Sequence, residues 1–183
     1  MISINNRIHI FGASGSGTTT IGIAVAEKLG YTHFDTDNYF WLPTKEPFTE
    51  ARPTKDRLRL MQMDLLRIDN WVLSGSLNGW GDPLIPLFEL VIFVYVPHDE
   101  RIKRLKIREH ERYGDEISIG GKRHEATNEF IEWAAGYDSG ISSRNFPKHE
   151  KWMAELKCPL LKIQNDKLDD SVCVAITAIK DGE

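Results

Sequence analysis

Gly12, Gly15 and Gly17 follow the alternating apolar run Ile8-His9-Ile10-Phe11 and lead straight into a helix-like segment that closes at Gly30. A hydrophobic period that changes from two to 3.6 across a glycine-rich loop reads as strand, loop and helix in succession. Glycine permits positive φ and a close approach of the backbone to a ligand. The stretch Gly12, Ala13, Ser14, Gly15, Ser16, Gly17, Thr18, Thr19 and Thr20 is therefore expected to turn its N–H groups, with the helix N-terminus, onto an anion. A plain connection between a strand and a helix has the same composition, but the place directly after the first strand favours a phosphate site.

Gly12, Gly17 and Thr19 fit the spacing G-x-x-x-x-G-K-[ST], with Thr18 where that pattern has lysine. The lysine reaches the β and γ phosphates as a point charge, and threonine has neither the reach nor the charge. The backbone cradle does not depend on it. The sequence thus predicts phosphate binding and requires charge stabilisation from elsewhere in the chain.

Strand-like and helix-like runs alternate downstream. Ile21, Ala24, Val25 and Leu29 give residues 19–29 helical spacing, and residues 31–34 read as a strand that ends in Asp35-Thr36-Asp37. Alternation puts Asp35 and Asp37 on one side, at the strand end where ligands of parallel sheets gather, suited to a metal-bound water and a substrate hydroxyl. A helix cap with a solvated turn is the other reading. Residues 41–53 read as an irregular loop, and Thr54 as the cap of a helix with Leu58, Met61 and Leu65 on its apolar stripe. Residues 71–74 read as a strand running into Gly75, Ser76, Asn78, Trp80 and Asp82, where small residues would admit an acceptor and polar ones orient it; a tight turn is the alternative.

Residues 90–96 are apolar on both faces, as in a central parallel strand. In the following helix Arg101, Arg104, Arg108 and Arg112 recur at intervals of three or four on one face, fit to grip a phosphoryl group or to meet solvent. Residues 113–148, interrupted by glycines, read as an insertion with a short helix near 127–135. It would be either a lid, with Arg123 and Arg144 as its cations, or a static excursion. Residues 149–156 read as helical and 159–163 as a last strand. Residues 164–167 then lie where a base would rest, and the closing helix carries Val172, Ala175, Ile176 and Ile179 inward.

This pattern is an α/β fold, a five-stranded parallel sheet flanked by helices in three layers, in one domain over 1–183. On the run 11–21 and on Phe34-Asp35-Thr36-Asp37, the chain resembles the P-loop kinases of the nucleoside monophosphate kinase and shikimate kinase type, close to a bacterial adenylate-kinase-like group. The resemblance implies a central phosphate-loop strand, ATP and Mg²⁺ as cofactors, Thr19 and Asp35 at the metal, and Asp35 and Asp37 near the acceptor. It also implies that Arg104 and Arg108 lie near the lid; with them a lid cation, Arg144, would offset charge on the transferred group. The expected activity is phosphoryl transfer from ATP to a small acceptor. A nucleotide-binding regulatory module without turnover is the alternative that Thr18 raises.

The net charge of -4 argues against broad nucleic-acid binding. No apolar stretch is long enough for a bilayer, and residues 1–6 lack the features of a signal peptide. Cys158 and Cys173 read as reduced cysteines of a cytoplasmic protein, without histidines spaced for zinc, and no protein partner is evident.

Overall fold

The computed structural model describes residues 6–181. Five parallel strands form one sheet in the order β2-β3-β1-β4-β5. They are β1 (Arg7–Gly12), β2 (Thr32–Asp35), β3 (Trp71–Ser74), β4 (Leu90–Tyr95) and β5 (Leu160–Gln164). The strand that feeds the glycine loop is thus central, with Ile8 opposite both Val72 and Leu90. Parallel neighbours require crossovers, which the helices supply: α1 (Thr18–Leu29), the single turn α2 (Asp37–Phe40), α3 (Thr54–Leu65), α4 (His98–Tyr113), α5 (His124–Ala135), α6 (Phe146–Ala154) and α7 (Leu168–Asp181).

Period-two alternation divides the core between the two faces of the sheet. Ile8, Ile10, Val72, Ile92 and Val94 pack with Ile21 and Val25 of α1 and with Val172, Ala175 and Ile179 of α7. Phe11, Trp71, Leu73, Val91 and Phe93 point the other way, onto Met61 and Leu65 of α3 and Trp152 and Met153 of α6. Burial of each such side chain contributes about 1.5–3 kcal/mol relative to exposure. His9 belongs to the second face, stacked on Phe88 at 4.9 Å, where burial lowers its pKa to about 3.

Several boundaries differ from the sequence expectation. Gly17, with φ 88, caps α1, so Thr18 is already helical, and Pro53 rather than Thr54 precedes α3. Strand β2 ends at Asp35, so alternation does not govern Asp37, which opens α2. The four arginines of α4 do not act as one row. Arg101 is fully buried, donating to the Val96 carbonyl at 3.1 Å and pairing with Asp138. Residues 113–148 hold more regular structure than their glycines suggest, because α5 begins at His124 and α6 at Phe146, which Asn145 caps by accepting from the Lys148 N–H at 2.9 Å. Both cysteines are free, and Cys173 is exposed. Among the described residues, no helix is long and apolar enough to cross a membrane.

Candidate functional site

The glycine loop is held from outside, which leaves its inner surface free. Ser16 Oγ donates to the Ala13 carbonyl at 2.7 Å, and the Asn165 amide, from the end of β5, donates to the Ser16 carbonyl at 2.9 Å. Gly15 has φ +83, and a Cβ there would stand 2.8 Å from the Arg101 carbonyl, so the loop packs directly on α4. Among the described residues, the N–H groups of Gly15, Gly17, Thr18, Thr19 and Thr20 donate to no carbonyl or side chain. Unpaired donors at a helix N-terminus are the arrangement that binds phosphate.

Two acids stand beside this cradle. Thr19 Oγ1 donates to Asp35 Oδ2 at 2.8 Å, bringing a hydroxyl and a carboxylate oxygen together at the start of α1. A small hard cation takes such oxygens together with phosphate oxygens, so Thr19 and Asp35 fit Mg²⁺. The hydroxyl of Ser74, at the end of β3, lies 3.4 Å from the same Asp35 oxygen and 2.8 Å from His33 Nε2. Asp37 is fixed through its N–H, which donates to Asp35 Oδ1 at 2.9 Å. Desolvation by surrounding protein, then the charge of Asp35, raises the Asp37 pKa, and Arg144, Arg108 and a side-chain hydrogen bond from Trp41 oppose that rise.

Two guanidiniums converge on Asp37 from separate elements. Arg108 of α4 lies 5.7 Å over the Phe130 ring, and Arg144 lies 5.4 Å over the Trp133 ring; both rings belong to α5 and stack with centroids 6.1 Å apart. Burial pushes both arginines down from their ordinary pKa, with Asp37 opposing in each case. Arg108 Nη2 donates to Glu109 at 3.3 Å while its Nε is buried without a hydrogen-bond partner, and among the described residues the Arg144 guanidinium makes no hydrogen bond. Cations held partly desolvated, with donors left over, are expected where an anion completes them. Arg104 sits at the opposite end, bonded to Glu100 at 2.9 Å and to the Asn165 carbonyl at 3.0 Å. Arg123 stacks 3.9 Å over Tyr113 and pairs with Glu46 at 3.1 Å, which ties 113–148 to the irregular loop 41–53.

The loop after β3 differs from the expected acceptor pocket. Trp80 is buried in the aromatic core, 6.1 Å from Phe40, and so does not line an open pocket. Ser76 Oγ meets His149 Nε2 at 3.1 Å, the Asn78 amide donates to the Lys148 carbonyl at 3.2 Å, and Asp82 accepts from the Trp152 indole at 3.0 Å. Gly75, with φ +104, lies so close to the Thr36 side chain that no Cβ would fit. This loop clamps α6 to the sheet, and its polar groups are already engaged. Sequence reading missed His149 and Tyr137 because their partnership spans three elements and leaves no local signal.

No family model matches the chain. It is 46% identical over 164 residues to the uncharacterized protein YqaC of Bacillus subtilis, covering 89% of this chain and 90% of that protein. A cytidylate kinase of Thermococcus kodakarensis is 30% identical over 112 residues, 56% of either chain. Among solved structures, shikimate kinase from Bacteroides thetaiotaomicron superposes with a TM-score of 0.58 at 20% identity, covering 96% of this chain and 98% of that one.

Proposed function

We propose that this chain, which belongs to one family with YqaC of Bacillus subtilis and folds as a P-loop kinase of the nucleoside monophosphate and shikimate kinase type, is a phosphotransferase. It moves the γ-phosphoryl group of ATP to a small acceptor, a nucleoside monophosphate or a hydroxylated metabolite with an anionic group. The observation that carries this reading is the set of N–H groups of Gly15, Gly17, Thr18, Thr19 and Thr20, without an acceptor among the described residues, at the start of a helix whose Thr19 is bonded to Asp35 and, through it, to Asp37.

Each residue then has a role set by its position. The cradle of residues 12–20 holds the phosphates through backbone donors. Thr19 and Asp35 hold Mg²⁺, which when bound supplies positive charge to the phosphate oxygens. Asp37, with its raised proton affinity, orients the acceptor hydroxyl and takes its proton. Arg108 and Arg144 offset charge on the transferred group and anchor the acceptor's anion, standing in for the lysine that Thr18 replaces. Arg104 and residues 164–167 flank the base. Residues 113–148 serve as a lid, joined to the acceptor side by Arg123 and Glu46. The working compartment is the cytoplasm, which supplies ATP and keeps Cys158 and Cys173 reduced.

Incubation with Mg²⁺ and ATP against nucleoside monophosphates, shikimate and gluconate, read as acceptor-dependent ADP formation, tests the reading. Phosphorylation of one acceptor above the acceptor-free rate is expected; no acceptor-dependent ADP with any of them contradicts it. Thr18, whose hydroxyl makes no hydrogen bond among the described residues, favours one rival, a nucleotide sensor without turnover. Thr18→Lys separates the two. A large gain in turnover marks a degenerate binder, and a loss marks a site built around threonine.

A further inference from the structure

Arg144 reaches Asp37 from a connection rather than from a helix, and a connection does not fix a long cation unless something fixes the connection. Here the bonds are dense. Asn145 Nδ2 donates to the carbonyls of Gly140 and Ser142 at 3.1 Å and 2.7 Å, and the Phe146 N–H donates to the Tyr137 carbonyl at 3.0 Å. The Trp133 indole donates to Ser143 Oγ at 2.9 Å, and Lys148 Nζ to the Ser143 carbonyl at 2.8 Å. These bonds shape the loop from 136 to 145 but do not attach it to the sheet.

Beside the pair of Asp138 with Arg101, a buried contact at the base of the connection ties it to the loop after β3. His149 is 0% exposed, with Nδ1 at 2.7 Å from the Tyr137 hydroxyl and Nε2 at 3.1 Å from Ser76 Oγ, while Tyr137 and Ser76 are 4% and 5% exposed. The imidazole ring stands edge-on to Phe11 at 5.0 Å, in the strand that feeds the glycine loop. Tyr137 also carries the Arg101 guanidinium 5.0 Å from its ring, and Arg101 is bonded to Val96 and Asp138. The His149–Tyr137 pair therefore joins the loop after β3, the base of the connection and the helix behind the cradle.

We propose that His149 is a positioning residue for Arg144: through Tyr137 and Ser76 it fastens the 136–145 connection to the sheet, so that the guanidinium is set against Asp37 before any ligand arrives. The inference rests on the role given above to Arg144. The imidazole works as a neutral bridge, one nitrogen donating and the other accepting, since both partners are hydroxyls able to do either. Burial and the nearby Arg144 charge keep it neutral, with a pKa lowered to about 3. Asn at this position retains a polar group near Nδ1 and Gln one near Nε2, so the two bonds are separable.

The test compares the whole protein with Tyr137→Phe, His149→Asn and His149→Gln. It follows the rate at which phenylglyoxal modifies Arg144, mapped by peptide mass, with Arg104 as internal control. Tyr137→Phe keeps the ring and removes one hydroxyl, so it stays folded if either His149 variant does not. We expect Arg144 to react roughly tenfold faster in Tyr137→Phe and His149→Gln, the scale of one lost buried hydrogen bond. His149→Asn restores most of the protection, Arg104 is unchanged, and the affinity for Mg²⁺-ATP moves less than twofold. Unchanged Arg144 reactivity in folded Tyr137→Phe overturns the proposal, as does an equal rise at Arg104, which marks a general loosening. Neither outcome depends on turnover, so the kinase reading and this one fail separately.

Discussion

Thr18 is where a residue-scale account meets its hardest demand, because the charge it lacks has to come from side chains remote in sequence. Arg108 and Arg144 both feel Asp37, and among the described residues Arg108 Nε and the Arg144 guanidinium have no hydrogen-bond partner. Arg144→Ala is therefore expected to lower acceptor turnover by roughly 10²–10³ while nucleotide affinity stays within a few-fold, read from steady-state kinetics and calorimetry. Asp37→Asn removes the proton acceptor and is expected to cost about 10²–10⁴ in turnover, again with binding retained. Gly15→Ala acts differently, since its φ of +83 is costly for alanine and its Cβ would press on the Arg101 carbonyl. A loss of about 1–3 kcal/mol in urea unfolding is expected. The glycine loop was legible because its chemistry is local: spacing alone located the donors. The fate of Trp80 was not, because an indole beside glycines reads the same whether it lines a pocket or fills a core.

At the scale of elements, the site lies where β1, β2 and β3 end; α4 and the connection between α5 and α6 bring Arg108 and Arg144 to it, against the aromatic rings of α5. The strands and most helices were legible from apolar period. The arginine spacing of α4 was also legible, but not its division of labour. Arg101 is buried on Val96 and Asp138, Arg104 bonds to the Asn165 carbonyl, Arg108 acts on Asp37, and Arg112 reaches Glu109 at 3.9 Å. A helix whose neighbours are unknown gives no means to make that division. The pair Arg123–Glu46 joins 113–148 to loop 41–53 at its outer edge. Exposed pairs contribute only about 0–1 kcal/mol. Glu46→Gln is accordingly expected to speed hydrogen exchange over 114–135 by a few-fold without changing the melting temperature by more than a degree or two. Equal exchange in the two proteins would show that this contact does not restrain the segment.

For the molecule as a whole, two buried imidazoles link the aromatic face of the sheet to acid stability. His9 and His149 both have pKa values lowered to about 3 by burial, against 6.5 when unfolded. The unfolded chain therefore binds more protons between those values, and stability present at neutral pH declines as pH falls through about 6.5 toward about 3. Each histidine contributes a slope of roughly 1.4 kcal/mol per pH unit. Urea midpoints measured from pH 7 to pH 4 should fall steadily, and a flat profile would show that neither ring is neutral and enclosed. The architecture was legible because sheet and helices follow from period and glycine placement. The bridge Ser76–His149–Tyr137 was not, because residues 73 positions apart meet only once the sheet has formed. The account depends most on the backbone donors at the start of α1. Titration of the ¹⁵N-labelled protein with Mg²⁺-ATP, following the amide resonances of Gly15, Gly17, Thr18 and Thr19, tests them directly. Saturable shifts at these four amides at or below roughly 1 mM are predicted; resonances that stay in place up to about 10 mM nucleotide would contradict it.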